Sequence, residues 1–176
     1  MTIFNVTGGG GGDGSPTFKE MTSAPYSITA SDWGDHYTQI PQYYFAYDNL
    51  LASITIPQGV TSIGGSAFYN CTSLASITIP QGVTSIGSFA FSNCTSLASI
   101  TIPQGVTSIG SSAFQLIGTN TAGSVITMLD STPPTLASNA FQSAHISKII
   151  VPQGSLTAYQ TATNWSAYAQ YMEEAS

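Results

Sequence analysis

The sequence predicts a mainly β repeat solenoid, with parallel strands stacked coil upon coil and a short helical cap at the C-terminal end. Three observations predict it. First, Leu51-Ala52-Ser53-Ile54-Thr55-Ile56-Pro57-Gln58-Gly59-Val60-Thr61-Ser62-Ile63-Gly64 recurs unchanged at Leu74 to Gly87 and at Leu97 to Gly110, a period of 23 residues. Self-similarity at that spacing marks units that bury their apolar faces only by stacking on one another. Second, each copy runs on into Ala-Phe, at Ala67-Phe68, Ala90-Phe91 and Ala113-Phe114. Third, charged residues make up 6% of the 176-residue chain, where about 25% is ordinary. None at all lies between Asp48 and Asp130.

The elements follow in chain order. Residues 8–12 are five consecutive glycines, followed by Asp13-Gly14-Ser15-Pro16, so residues 1–25 are expected to form a flexible glycine-rich arm. A phosphate-cradling loop would need a preceding strand and a terminal Lys-Ser/Thr, and neither is visible. Residues 26–50 hold Tyr26, Trp33, Tyr37, Tyr43, Tyr44, Phe45 and Tyr47 and are expected to form an aromatic N-terminal cap and a degenerate first coil. Phe45 precedes Leu51 by the same offset as Phe68 precedes Leu74.

The coils of 23-residue period occupy residues 51–154. Within one coil, Leu51, Ile54, Ile56, Val60, Ile63, Phe68 and Cys71 form the inward set. Ile54 and Ile56 flank Thr55 with the period of a strand, so Ser53 and Thr55 share the opposite face. Pro57 cannot donate a ladder bond and closes the strand, while Gly59 and Gly64 are assigned to turns. Ile146-Ser147-Lys148-Ile149-Ile150-Val151-Pro152-Gln153-Gly154 repeats the strand pattern. One divergent coil must therefore intervene, with Ile126-Thr127-Met128 as its strand and Asn139-Ala140-Phe141 as its Ala-Phe element. About six coils result, caps included. In residues 155–176, Ser155 and Asn164 are the expected N-caps of two short helices that carry Leu156 and Tyr159, then Trp165, Tyr168, Ala169 and Met172.

Composition narrows the partners. Two Lys+Arg against eight Asp+Glu give a net charge of −6, so counterion release on nucleic acid or attraction to anionic lipid lacks its basic residues. No apolar run reaches the length of a membrane span, and no membrane insertion is expected. The stretch from Met1 to Val6 lacks the basic and apolar regions of a secretory signal, which leaves such a signal removed, encoded upstream on a longer chain, or never present. Two cysteines are too few for a disulfide scaffold and leave the redox compartment open.

The pattern Leu-x-x-Ile-x-Ile-Pro-x-x-Val-x-x-Ile-Gly-x-x-Ala-Phe-x-x-Cys-x-x at residues 51–73 and 74–96 resembles the BspA-like leucine-rich repeats of bacterial surface proteins. The ending Val151-Pro152-Gln153-Gly154-Ser155, then Asn164-Trp165-Ser166-Ala167-Tyr168, resembles them too. The resemblance covers roughly residues 44–172, while residues 1–40 match no pattern. It implies a right-handed leucine-rich-repeat solenoid that serves as a surface adhesion or protein-interaction module, with no catalytic residues. Gly59 stands where many leucine-rich repeats place an asparagine ladder, so that device is not expected.

Three sets of residues are candidates for a site. Ser53/Thr55, Ser76/Thr78 and Ser99/Thr101 form a two-file ladder of hydroxyls on one sheet. It has a generic reading, since threonine suits strands and hydroxyls keep an uncharged face wet, and a functional one, as a recognition surface for protein or glycan. Ice binding is a third reading, disfavoured by curvature and by only three regular rungs. Trp33 and Tyr37 in the aromatic cap complete the candidate binding set. Around Trp33, Asp32, Asp35 and His36 form a compact polar cluster whose spacing fits no metal loop, so it reads as a cap loop and neither metal nor cofactor is expected. Cys71 and Cys94 lie one coil apart. Their distance permits a disulfide, but equivalent side chains on stacked coils run parallel, which favours two buried free thiols. Asn5, Asn70, Asn93 and Asn164 match the glycosylation acceptor, the repeated pair reading better as turn chemistry.

The expected function is a non-enzymatic extracellular or cell-surface binding module whose partner is a host or bacterial surface protein or glycan. The alternative is a virion-associated structural or receptor-binding component of a phage or prophage tail.

Overall fold

The computed structural model describes residues 4–6, 18–20, 26–29 and 37–176. Within the segment expected to be an unstructured arm, β1 (Phe4–Val6) and β2 (Phe18–Glu20) pair antiparallel, Phe4 opposite Glu20. From there on each coil contributes two strands. They are β3 (Tyr26–Ile28) and β4 (Gln39–Ile40), β5 (Leu51–Thr55) and β6 (Ser62–Ile63), β7 (Ser76–Thr78) and β8 (Ser85–Ile86), β9 (Ser99–Ile102) and β10 (Ser108–Ile109), then β11 (Ser124–Met128) and β12 (Thr135–Leu136), with β13 (Ile146–Val151) alone in the last. The odd-numbered strands from β3 to β13, with β14 (Met172–Glu174) added at the end, make a seven-stranded sheet; the even-numbered ones from β4 to β12 make a five-stranded sheet. Every pairing in both sheets is parallel. The parallel stacking thus starts at Tyr26, in the segment expected to hold the cap and degenerate first coil.

Register follows the repeat. Ser53 pairs with Ser76 and Ile54 with Ile77, both one period apart, so identical residues stack on identical residues. In the divergent coil Ile100 pairs with Ile126, 26 residues on, and the extra residues are taken up before β11, where Gly118 and Gly123 have positive φ.

The core is a set of columns. Leu51, Ile54, Ile56, Val60, Ile63, Phe68 and Cys71 are all buried, as are their equivalents in the next two coils. Phe45, Phe68, Phe91, Phe114 and Phe141 stack face to face with centroids 5.1, 5.2, 5.5 and 5.2 Å apart and planes within 12° of parallel. Fully burying a side chain of this size contributes about 1.5–3 kcal/mol, so the column is a principal source of stability.

Polar groups between the coils are tied in the same periodic way. Thr61, Thr84, Thr107 and Thr135 each donate a side-chain hydroxyl to the backbone carbonyl of the threonine one coil earlier, Thr38, Thr61, Thr84 and Thr107, at 2.9–3.1 Å. Cys71 and Cys94 are free and buried, and their thiols donate to the carbonyls of Phe45 and Phe68. Asn70 and Asn93 have φ near +60°, and the Asn93 amide donates to the Asn70 side-chain oxygen. An asparagine rung therefore exists after all, displaced from Gly59 to the Asn-Cys turn.

The two glycines of the repeat do different work. Gly59, Gly82 and Gly105 have φ of +97°, +101° and +90°, the left-handed conformation that closes the Pro-Gln-Gly turn. Gly64, assigned to a turn from sequence, is a close-approach position instead. A Cβ there would lie 2.7 Å from the Gln42 nitrogen, and at Gly87 and Gly110 the corresponding distance is 2.6 Å.

The C-terminal cap holds one α-helix, α1 (Leu156–Thr161), followed by a 3-10 helix over Ser166–Tyr171 and strand β14. Two expectations are corrected. Ser155 precedes α1 but its hydroxyl donates back to the Pro152 carbonyl, making no side-chain cap. Asn164 is not a helix cap either: it sits at φ +66° and its amide donates to the Leu136 carbonyl, pinning the cap to the divergent coil. Trp165, fully buried, closes the phenylalanine column against Phe141 and donates its indole N–H to the Pro134 carbonyl. β14 covers the open edge of β13 and places Glu173 and Glu174 on the terminal strand, where charge discourages further strand addition.

Candidate functional site

The seven-stranded sheet presents the hydroxyl lattice. Ser53, Ser76 and Ser99 form one file and Thr55, Thr78 and Thr101 the other, with Ser76, Thr78, Ser99 and Thr101 exposed and Ser53 and Thr55 half-buried. The inward alternation of Ile54, Ile77 and Ile100 forces these residues outward. The lattice is longer than three rungs. Upstream, Ser27 pairs with Ser53 and accepts a hydrogen bond from its hydroxyl at 2.7 Å; downstream, Thr127 stands beside Thr101. The serine file then passes to Val125 and Lys148, and the threonine file to Ile150 and Glu173. Lys148 and Glu173 form an ion pair at 2.6 Å, so the neutral face ends in a charged border.

Tyr37 is half-buried against the core, and burial, with a smaller contribution from Tyr37, raises the Tyr44 hydroxyl well above the usual tyrosine range. Trp33 lies outside the described residues, as do Asp32, Asp35 and His36.

Burial pushes the Cys71 and Cys94 thiols well up from the ordinary thiol range, so both stay protonated donors rather than nucleophiles. Asp130 moves the other way. Its carboxylate accepts from the backbone N–H groups of Thr132 and Gly105, at 2.9 and 3.0 Å, and these bonds lower its pKa. Among the described residues no group of three His, Cys, Asp or Glu could hold a metal ion, and no helix is long and apolar enough to cross a membrane.

A second surface was not anticipated from sequence. On the turn that carries Ala-Phe, Tyr43, Tyr47 and Phe89 are 60%, 66% and 40% exposed, and Leu116 is exposed as well. All four have φ between +59° and +66°. A signal was present: residues 51–73 and 74–96 differ at three places only, Gly65/Ser88, Ser66/Phe89 and Tyr69/Ser92, all on this turn.

Parallel coils, a columnar core and a capped C-terminal end define the class, a leucine-rich-repeat scaffold of the generally non-enzymatic binding kind. The chain belongs to the BspA type leucine rich repeat region family, which matches residues 38–167 in six copies. It is similar in fold to a leucine-rich repeat protein from Bacteroides ovatus ATCC 8483, with TM-score 0.53 and 23% identity over 86% of this chain and 49% of that one. A leucine rich cell surface protein from Faecalibacterium prausnitzii A2-165 matches with TM-score 0.41 and 26% identity over 80% of this chain and 51% of that one. The chain thus spans about half the length of these solved structures. No curated protein matches it.

Proposed function

We propose that this chain is a non-enzymatic extracellular binding module that presents its seven-stranded sheet to a surface protein or glycan in an adhesive role. The observation that carries the reading is the uncharged hydroxyl lattice, Ser27 to Ser99 and Thr55 to Thr127, which faces outward on a sheet whose opposite face is sealed in the core. Hydroxyls on a regular parallel sheet offer both donors and acceptors at fixed spacing, and a rigid lattice loses little entropy on binding. A cell-surface location is supported by family membership.

The test is capture of bacterial and host surface proteins and of arrayed glycans by the wild-type chain and by two variants. Thr78→Arg places one cation at the centre of the lattice; Thr55→Lys with Thr101→Lys uses alternate rungs, so that like charges do not oppose each other on adjacent strands. Binding lost in both, with the circular dichroism spectrum unchanged, is the expected result. Binding that survives both variants excludes this face.

A further inference from the structure

We infer that the Ala-Phe turn flank is a second binding surface, separate from the sheet, and that its ligand is a neutral oligosaccharide. Two independent observations meet there. The first is conformational. Of the ten non-glycine residues with positive φ among the described residues, six are Ser or Asn, as a short polar side chain in that region leads one to expect, and the other four are Tyr43, Tyr47, Phe89 and Leu116. A bulky side chain in the left-handed region is uncommon and strained. None of the four repays that strain by entering the core, since they are the exposed large apolar residues of this flank. The equivalent places in neighbouring coils hold Ser66 and Ser112, so folding does not ask for an aromatic ring there.

The second observation is internal to the repeat. Residues 51–73 and 74–96 are the same at every place on the sheet face and in the core, and their three differences exchange Gly65, Ser66 and Tyr69 for Ser88, Phe89 and Ser92. A surface identical from coil to coil carries no positional information. The turn flank does, and what varies there is the placement of aromatic rings.

The chemistry selects the ligand. No Lys or Arg lies between residues 37 and 130, and the one carboxylate there, Asp48, accepts from the Leu50 and Leu51 N–H groups, so the flank offers little to a charged partner. What it offers is ring faces interleaved with small polar groups. Tyr43 and Phe89 occupy equivalent turn positions two coils apart, roughly 10 Å at the spacing of stacked strands, a span comparable to two linked pyranose rings. Tyr69 packs edge-on against Tyr47 with centroids 5.3 Å apart, and the half-buried Asn70, Asn93 and Gln115 lie among them. The C–H faces of a sugar pack on such rings while its hydroxyls pair with the amide groups. Tyrosine gives rigid amphipathic contact area of this sort at low entropic cost.

The experiment is calorimetric titration of the full chain with three neutral hexasaccharides, cellohexaose, mannohexaose and maltohexaose, and with an acidic polymer, polygalacturonate. At least one neutral hexasaccharide should bind, with affinity unchanged between low and high salt, and polygalacturonate should not. Phe89→Ser installs the residue that the neighbouring coils already carry, so the fold is preserved, and it should weaken sugar binding about tenfold, the loss of one well-packed ring. Ser66→Phe should strengthen it by filling the gap between Tyr43 and Phe89. Failure of all three sugars to bind overturns the inference, as does binding that ignores Phe89→Ser. A protein partner captured through Phe89 while the sugars do not bind also overturns it. Because the lattice variants Thr78→Arg and Thr55→Lys/Thr101→Lys leave the flank intact, they should retain sugar binding, which separates failure here from failure of the sheet proposal.

Discussion

At Gly87 the space between coils closes to the point where one methyl group decides the packing. A Cβ there would stand 2.6 Å from the Gly65 nitrogen and 2.8 Å from the Gly64 carbonyl carbon, both backbone atoms that move only if the coils separate. Gly87→Ala should therefore cost about 3 kcal/mol, at the upper end for overpacking. Gly82→Ala meets only the Val60 carbonyl oxygen at 3.9 Å, and its cost is the strain of a side chain at φ +101°, about 1–2 kcal/mol. The thermal midpoints should fall in that order; a lower midpoint for Gly82→Ala would mean that coil spacing relaxes more readily than backbone conformation. The thiols give a second prediction at this scale. Cys71 and Cys94 are buried, hydrogen-bonded to carbonyls, and held protonated by desolvation. Both should resist a thiol reagent at pH 8 in the native protein and react fully in denaturant; fast native labelling of either would show an open seam at the Asn-Cys turn. Sequence alone separated neither glycine role, because spacing marks a glycine without telling a turn from a close approach.

At the level of elements, the strands of the repeat were legible from alternation and proline placement, and β14 was not. Met172-Glu173-Glu174 carries no strand pattern of its own; it is a strand because β13 leaves an edge to pair with, a tertiary cause that no local window contains. The hydroxyl face was legible for the same reason the strands were, whereas its charged border required β14 to bring Glu173 to Lys148. The loop after β11 supplies a testable case of pH dependence. Asp130 bonds the Thr132 and Gly105 N–H groups, linking the divergent coil to the Pro-Gln-Gly turn of the coil before it. Its pKa is lowered by these bonds, so the ionised form stabilises the fold above the ordinary carboxylate range, and that contribution is lost as pH falls through the lowered value. The group is largely exposed, which keeps the effect below about 1 kcal/mol. Asp130→Asn should lower the thermal midpoint slightly at pH 7, and the difference from wild type should shrink as pH falls toward 2. A difference that persists at pH 2 would trace the effect to packing rather than charge.

For the whole molecule, near-identical coils make length a free variable and register a strict one. Removing residues 74–96 deletes one full period, and the junction Ser73-Leu97 reproduces the natural Ser73-Leu74 and Ser96-Leu97 junctions. Ser53 can then face Ser99 as it now faces Ser76, Phe68 can stack on Phe114, and Thr107 can donate to Thr61. Stability in a stacked array is close to a sum of coil and nearest-neighbour contributions, so the shortened chain should fold with the same β-type circular dichroism spectrum and a lower thermal midpoint. Deleting 74–95 instead leaves Ser96 as one extra residue ahead of the following strand, which must either bulge out, as the extra residues before β11 do, or turn the inward side chains outward, so that variant should melt below the 74–96 deletion. The same logic explains the missing charge: a charge copied with the repeat would face its own kind about 4.8 Å away on every adjacent strand. If both deletions fold equally well, the register is not set by the columns of Leu, Ile and Phe, and the period-based reading of the core fails with it.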